Sequence, residues 1–327
     1  MGQNSDHFDG RKFHNINPRQ HGFPDLLRWM LSRQRGKWPK WRDSQPGPKP
    51  PDRVPQPKET PDGLRVTFVN HTTFLIQMFG MNILTDPVWS LRASPVQWAG
   101  AKRVRAPGIC FEDLPPIDVV LLSHDHYDHM DVATLRRLHR EHDPLYFTGL
   151  GNGTRLRKLG ISRVSDMDWW DEVSLANGMK LVCVPAQHFS GRTPFDRDTT
   201  LWCGFVLVPP PEFANDGALF FAAGTGFGPH FKMIAEKFPN LRLSILPIGA
   251  FRPEWFMGEV HCSPREAVKA HKILKTRLSV ASHFGTFPLA DDGEDEPPQH
   301  LSEALLEERL TPQDFRILDF GESWSVP

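Results

Sequence analysis

The sequence lacks the features that mark membrane-spanning or secreted proteins. No stretch approaches eighteen uninterrupted apolar residues, so no transmembrane helix is expected. The first residues do not combine a basic segment with an apolar one, so no secretory signal is expected. A myristoylation motif starting at Gly2 also fails, because Asp6 stands where serine or threonine is required. These absences predict a cytoplasmic protein.

Cysteine is scarce as well. The four residues of this type have no paired spacing and lie in or beside apolar runs: Cys110, Cys183, Cys203 and Cys262. Reduced and mostly buried thiols fit this pattern better than a disulfide framework does. Cysteine usage therefore agrees with a cytoplasmic location.

Net charge is close to zero, at −1 over 327 residues, but it is unevenly distributed. Residues 1–62 carry twelve Lys/Arg and seven Asp/Glu, which leaves residues 63–327 acidic. Eight prolines between Pro39 and Pro61 predict an extended, partly polyproline arm, with one short helix over 25–34. The acidic remainder offers no basic stripe, which argues against nucleic acid as a partner.

The basic arm admits two interpretations. Trp29, Trp38 and Trp41 lie among basic residues and are suited to a peripheral contact with an anionic membrane surface. Alternatively, the arm packs across the following domain and buries its tryptophans there. The sequence leaves both open, and it also leaves open whether the chain forms a homo-oligomer.

Beyond the arm, short strands and helices alternate. The strands are rich in β-branched and aromatic residues. The helix predicted to start at Pro264 has Ser263 as its cap. Strands are predicted over 64–69, 73–79, 82–85, 117–122, 180–185, 218–222, 243–246 and 278–282, and helices over 132–142 and 264–274. With 39% hydrophobic and 24% charged residues, this is a globular chain of mixed α and β structure.

The densest chemical signal is the segment Ser-His-Asp-His-Tyr-Asp-His at residues 123–129, directly after the apolar strand 117–122. Residues two apart in an extended segment point the same way, so His124 and His126 can converge on one ion. The bend beyond them turns Asp128 and His129 toward a second ion. Imidazole and carboxylate are ligands for zinc or a similar metal, whereas a solvated polar loop is the alternative.

The pattern His-x-His-x-Asp-His after such a strand resembles the metallo-β-lactamase fold superfamily. The surrounding sequence resembles its branch that contains N-acyl-phosphatidylethanolamine phospholipase D and bacterial relatives, over about residues 64–324. The matching segments are residues 82–87, 92–95, 114–118, 168–170, 247–250, 255–257 and 283–287. The resemblance implies an αββα sandwich of two facing mixed sheets, with an arm at 1–62 and a hydrolase domain at 63–327.

The resemblance also implies roles for individual residues. One zinc ion would be held by His124, His126 and His188, and a second by Asp128, His129 and His283. A hydroxide between the ions would attack a phosphorus or carbonyl centre. Asp128 would thereby be catalytic.

His261 is the second catalytic candidate. It matches a position near the metal centre of the family, where a protonated imidazole would steady a phosphate or a leaving group. The alternative is that His261 helps to cap the helix that starts at Pro264.

One departure from the family concerns the second ion. The family has an aspartate that bridges both ions after the strand 218–222, and here Gly224 occupies that position. Asp125 is poorly placed to substitute for it, so the second zinc ion is expected to be harder to hold. Phe227 and Phe251 stand where relatives tend to carry tyrosine.

The sequence therefore predicts a metal-dependent hydrolase that acts on a phosphodiester in a small molecule or a phospholipid. A lactonase or other ester hydrolase is the enzymatic alternative. A ligand- or lipid-binding protein that has lost turnover with the bridging aspartate is the alternative from another class.

Overall fold

The computed structural model describes residues 5–18, 20–43, 46–50 and 63–327. Two seven-stranded mixed sheets face each other, and helices pack on each of them. This arrangement confirms the predicted αββα sandwich. Among the described residues, no helix combines the length and the apolar character needed to cross a membrane.

The first sheet combines an antiparallel meander with a parallel half. Its strands are β1 Leu64–Asn70, β2 Thr73–Met78, β3 Met81–Thr85, β6 Val119–Leu122, β7 Leu145–Gly149, β8 Val164–Met167 and β16 Ser323–Ser325. They lie in the order β16-β1-β2-β3-β6-β7-β8. The pairs from β16 to β3 are antiparallel and the pairs from β3 to β8 are parallel.

The second sheet also combines parallel and antiparallel strand pairs. Its strands are β9 Glu172–Ser174, β10 Lys180–Val184, β11 Gly204–Val208, β12 Ala218–Phe221, β13 Leu241–Pro247, β14 Leu278–Ser282 and β15 Phe315–Arg316. They lie in the order β15-β14-β13-β12-β11-β10-β9, parallel from β15 to β12 and antiparallel from β12 to β9. A separate hairpin joins β4 Arg92–Ala93 and β5 Ala101–Lys102.

The helices are α1 Phe23–Leu31, α2 Val132–Glu141, α3 Asn152–Lys158, α4 His230–Lys237, α5 Glu254–Met257, α6 Pro264–Leu274 and α7 Glu296–Glu307. Ser263 caps α6 as predicted: its hydroxyl accepts from the Glu266 amide while the Glu266 carboxylate accepts from the Ser263 amide. The predicted helix of the arm is shifted, because it begins at Phe23 rather than at residue 25 and ends at Leu31.

Both faces of the first sheet are buried. Ile83 and Leu121 belong to the large core between the sheets, whereas Leu84 and Leu122 belong to a second cluster together with Leu135 of α2. Because neighbouring residues of a strand point to opposite faces, such strands are apolar without alternation.

The arm packs against the domain, so Trp29 is not available to a membrane surface. Trp29 is buried and its indole N–H donates to the Asp291 carboxylate at 3.0 Å. Trp38 donates to the carbonyl of Asp292 at 2.7 Å, and Trp41 is exposed. Residues 44–45 and 51–61 of the predicted polyproline stretch lie outside the described residues, and so does residue 62 at the predicted domain boundary.

Candidate metal centre

The metal loop, residues 123–131, connects β6 to α2. Its start is fixed by the buried strand β6, and its end by Asp131, whose carboxylate accepts from the Ala133 amide at the first turn of α2. A rigid strand and a capped helix therefore hold the loop from both sides.

Three histidines form the first ligand group: His124, His126 and His188. One ring nitrogen from each lies within 4.8 Å of the others. Nε2 of His124 and Nδ1 of His126 are 2.8 Å apart. The structure thus brings together the three residues predicted to share one ion, with His188 supplied by the segment after β10.

Hydrogen bonds select the ring nitrogen that two of these histidines offer. Nδ1 of His124 donates to Ser123 Oγ at 2.8 Å, and Nδ1 of His188 donates to the Val260 carbonyl at 2.8 Å. Each leaves Nε2 directed into the group, as in histidines that bind metal. Burial lowers the pKa of His124 and His188 well below the ordinary value and that of His126 to about 3. All three are therefore neutral at pH 7, which is the form that binds a metal ion.

The second group contains the three predicted residues, Asp128, His129 and His283, and also His71. Oδ2 of Asp128 lies 2.9 Å from Nε2 of His71, 3.2 Å from Nε2 of His129 and 3.7 Å from Nε2 of His283. Sequence reasoning missed His71, since a histidine after a strand and before a threonine is typical of a turn.

Asp86 is a second residue that sequence reasoning missed, because Asp-Pro after a strand is an ordinary strand end. Its buried carboxylate accepts from His129 Nδ1 at 2.7 Å, from Ser123 Oγ at 2.7 Å and from the Ser123 amide at 2.8 Å. Ser123 in turn accepts from His124. One carboxylate thus orients a histidine in each group.

The charges of the second group are strongly coupled. Burial works against a charged His129, but Asp128 and Asp86 outweigh it and raise the pKa of His129 to about 10. Burial likewise opposes ionisation of Asp128, yet the His129 charge and hydrogen bonds hold the pKa of Asp128 well below its usual range. Binding of a cation at His129 Nε2 would release the proton of that imidazolium.

The donor set of these residues fits a divalent metal ion. Both ring nitrogens of His283 are buried with no hydrogen-bond partner among the described residues. Unpaired buried nitrogen costs about 1–3 kcal/mol, and a metal ion would satisfy it. The two groups are therefore suited to zinc or to another borderline divalent ion.

Gly224 lies between the two groups. A Cβ added there would be 3.5 Å from Cε1 of His124 and 3.5 Å from Cε1 and Nε2 of His129. The position is therefore the one that a bridging carboxylate would occupy. Asp125 points elsewhere, accepting from the Gly191 amide at 2.7 Å and pairing with Arg155 at 3.3 Å.

His261 faces both groups rather than capping α6. Its ring centroid is 5.1 Å from that of His188 and 5.1 Å from that of His283. Ser263 provides the cap, so the capping alternative for His261 is wrong. Burial lowers the pKa of His261 to about 4, so its imidazole is neutral at pH 7 rather than protonated.

The two phenylalanines that stand where relatives tend to carry tyrosine lie in different surroundings. Phe251 is fully buried and its ring lies 5.4 Å from that of His300. Phe227 is partly buried and packs against Phe231 of α4. Phe251 is therefore a residue of the hydrophobic core.

The arm also reaches the metal centre. The Asn15 amide donates to the His188 carbonyl at 2.7 Å and accepts from the His188 N–H at 2.9 Å. Asn15 Oδ1 also accepts from the Trp202 indole at 2.9 Å. No local pattern in the sequence connects residue 15 with residue 188, so this support was not predicted.

Comparisons with known proteins agree on the family to which the chain is similar. A family model described as beta-lactamase superfamily domain matches residues 81–284. The chain is 34% identical over 276 residues to N-acyl-phosphatidylethanolamine-hydrolyzing phospholipase D 1 of Caenorhabditis elegans, covering 81% of this chain and 76% of that protein. It is 28% identical over 268 residues to a metal-dependent hydrolase of Koribacter versatilis, covering 80% of this chain and 98% of that protein.

A solved structure shares the fold. The metallo hydrolase from the hyperthermophilic archaeon Ignicoccus hospitalis has a TM-score of 0.59 and 22% sequence identity, covering 80% of this chain and 97% of that chain. At this identity the likeness concerns the fold alone.

Proposed function

The chain belongs to the β-lactamase superfamily and is a metal-dependent hydrolase of the metallo-β-lactamase fold, and we propose that it hydrolyses a phosphodiester bond. A phospholipid of the N-acyl-phosphatidylethanolamine type is the proposed substrate. The observation that carries the proposal is the pair of adjoining ligand groups on either side of Gly224. Two adjacent cationic centres suit a substrate whose negative charge is spread over several phosphoryl oxygens.

Ions bound by the two groups would supply positive charge at the phosphoryl oxygens, and an ion with an open position would lower the pKa of its bound water toward neutrality. We propose zinc for this role, with His124, His126 and His188 holding the first ion. Asp128, His129 and His283 would hold the second. Asp86 and Ser123 keep His129 and His124 in the tautomers that these roles require.

His261 is proposed to contact the substrate. Its Nδ1 is buried without a hydrogen-bond partner among the described residues, beside both ligand groups. Because the imidazole is neutral near pH 7, it would donate a hydrogen bond to a phosphoryl oxygen, and the leaving oxygen would take its proton from water. Asp128, as a ligand held fully ionised, would stay unprotonated throughout.

A lipid substrate is supported by the exposed face of α1. Phe23, Leu27, Met30 and Leu31 are 76%, 47%, 61% and 81% exposed and share one face of the helix. The opposite face packs on α5, and His261 follows four residues after α5 ends. We propose that this face, rather than the tryptophans of the arm, makes a peripheral contact with a phospholipid surface.

The test is hydrolysis by the metal-loaded chain of N-acyl-phosphatidylethanolamine in vesicles and of an aryl phosphodiester, next to a lactone and an aryl carboxylic ester. We expect turnover of the phosphodiesters and its loss in His126→Ala, together with lower metal content. Preference for the lactone or the carboxylic ester would support the alternative ester hydrolase. Metal binding without turnover of any of them would support the binding protein.

A further inference from the structure

The turn between β1 and β2 is joined to the loop after β14. The His71 carbonyl accepts from the His283 amide at 2.7 Å, and the His71 amide donates to Thr286 Oγ1 at 2.9 Å. His71 and His283 both have left-handed backbones, with φ of 47° and 62°, and their ring centroids lie 4.1 Å apart. Two strained, buried histidines from different sheets are thus directed at Asp128.

The spacing in this cluster matches a four-coordinate site. Metal–ligand bonds of about 2.0–2.2 Å in a tetrahedron place the ligand atoms roughly 3.3–3.6 Å apart. The distances from Asp128 Oδ2 to the three histidine Nε2 atoms are 2.9, 3.2 and 3.7 Å. All four candidate ligand atoms lie within 4.8 Å of one another.

We propose that His71 is the fourth protein ligand of the second ion. With His71, the second group supplies four ligands and the first group only three. Structural metal sites are closed by four protein ligands, whereas catalytic sites keep a position open for water or substrate. The position open to water therefore belongs to the group of His124, His126 and His188, and the second ion, closed by protein ligands, would act on the substrate through its charge.

Charge at the second site supports this assignment. Asp128 is one anionic ligand, and Asp86 adds a second carboxylate through His129 Nδ1 at 2.7 Å. Together they offset the charge of a divalent ion without a carboxylate at residue 224. His71 thus adds the ligand, and Asp86 adds part of the negative charge, that a carboxylate at residue 224 would otherwise supply. The inference rests on the metal-dependent part of the proposed function and not on the choice of substrate.

A competing role for His71 is that of a positioning residue, which donates a hydrogen bond from Nε2 to Asp128 at 2.9 Å. The two roles differ in what a substitute must provide. A glutamine amide would still donate to Asp128 but is a poor ligand for zinc. Asparagine tolerates a left-handed backbone and is too short for either role.

The experiment measures zinc per chain after dialysis, the affinity for each ion by chelator competition, and the visible spectrum of the cobalt-loaded protein. We expect about two ions in the parent chain. In both His71→Gln and His71→Asn, we expect the second ion to be weakened more than about 100-fold, beyond what loss of a supporting hydrogen bond causes. The tetrahedral cobalt band of that site would be lost as well.

His271→Ala serves as the matched control, because His271 is a buried histidine of α6 whose ring bonds Ser279 away from both groups. It should keep two ions, and thermal melting checks that every variant folds. Two ions with an unchanged cobalt spectrum in His71→Gln would overturn the proposal in favour of the positioning role. A single ion in the parent chain would overturn it too, whereas a failed phosphodiesterase assay would not affect it.

Discussion

Four residues at the metal centre have a strained, left-handed backbone. Asp86, His71, Ala223 and His283 have φ of 32°, 47°, 57° and 62°. Non-glycine residues in this region cost of the order of 1–3 kcal/mol each and persist only where the surroundings over-determine them. Three of the four carry or orient a ligand group, and Ala223 sets the position of the neighbouring Gly224.

Gly224 itself does not need glycine for its backbone, since its φ is outside the left-handed region and a Cβ would make ordinary contacts at 3.5 Å. We therefore predict that Gly224→Asp folds, links the two groups through an added carboxylate, and raises both ion affinity and phosphodiesterase rate by at least about tenfold. Metal titration and initial rates measure both quantities.

Gly224→Asn is the matched control for that substitution, because it adds the same volume without a charge. It should leave ion affinity and rate close to those of the parent chain. Equal gains from both substitutions would mean that the carboxylate does not bridge the ions.

Asp292 provides a pH-dependent prediction away from the metal centre. Burial raises its pKa from the ordinary 3.8 to about 6, against a hydrogen bond from the Ala250 amide. Because the folded state binds this proton more tightly than the unfolded state does, stability falls as pH rises from about 4 to about 6 and stays lower above that. Asp292→Asn should remove this loss.

Urea unfolding at several pH values measures the effect. The stability difference between Asp292→Asn and the parent chain should grow by up to about 3 kcal/mol between pH 4 and pH 7. Asp295→Asn, an exposed neighbour on the same segment, should show no such growth. A difference that does not change with pH would contradict the raised pKa.

The arm supports the metal centre through Asn15. In Asn15→Ala, the N–H and C=O of His188 lose their partners, at a cost of about 1–3 kcal/mol in unfolding free energy. Because His188 is a proposed ligand, we also expect about tenfold weaker binding of the first ion. Chelator competition and urea unfolding measure the two effects.

Asn177→Ala is the control for Asn15→Ala. Asn177 makes similar bonds, donating to the Phe79 carbonyl and accepting from the Met179 amide, in the turn before β10. It should lower stability without changing metal affinity. If both variants changed metal affinity alike, the effect would be one of general stability.

The exposed apolar face of α1 is suited to contact a lipid surface. Replacing Phe23, Leu27 and Leu31 together by serine or glutamine should weaken association with phosphatidylcholine–phosphatidylserine vesicles more than tenfold, since each buried side chain is worth about 1.5–3 kcal/mol. Melting should not change, because these side chains are exposed.

Leu306→Gln is the control for the α1 variant, since Leu306 is 78% exposed on a different helix. It should not alter vesicle binding, which cosedimentation measures. Unchanged binding in the α1 variant would assign any membrane contact to another surface.

For the whole molecule, prediction succeeded where the signal was local. Strands such as β6 are apolar because both faces are buried, and the metal loop follows directly, so His124, His126, Asp128 and His129 were recognisable from one segment. Contacts between residues far apart in the sequence were not recognisable in this way. The contact of His71 with Asp128 and the hydrogen bonds of Asn15 each join residues more than fifty positions apart.

The pairing of β16 with β1 illustrates the same limit. Only three residue pairs connect these strands, over Ser323–Ser325. A strand of that length carries too little periodicity to be distinguished from a loop. It nevertheless completes the first sheet, so that each sheet has three parallel and three antiparallel pairs.

The ligand groups draw on both sheets. His71 and His124 follow strands of the first sheet, whereas His188 and His283 follow strands of the second. An ion in either group would therefore join the two halves of the sandwich, and it would bind the folded chain far better than the unfolded one.

Metal removal should consequently lower the melting temperature of the whole domain. An ion at 100 times its dissociation constant stabilises the folded state by about 2.7 kcal/mol, which corresponds to roughly 5–10 °C per ion for a domain of this size. Chelator should lower the melting temperature of the parent chain by that amount for each ion, and that of His126→Ala by about half as much. A melting temperature that chelator leaves unchanged, in a chain shown to have lost its metal, would mean that protein contacts alone hold the ligand groups in place, with the His71–His283 backbone bond already joining the two sheets.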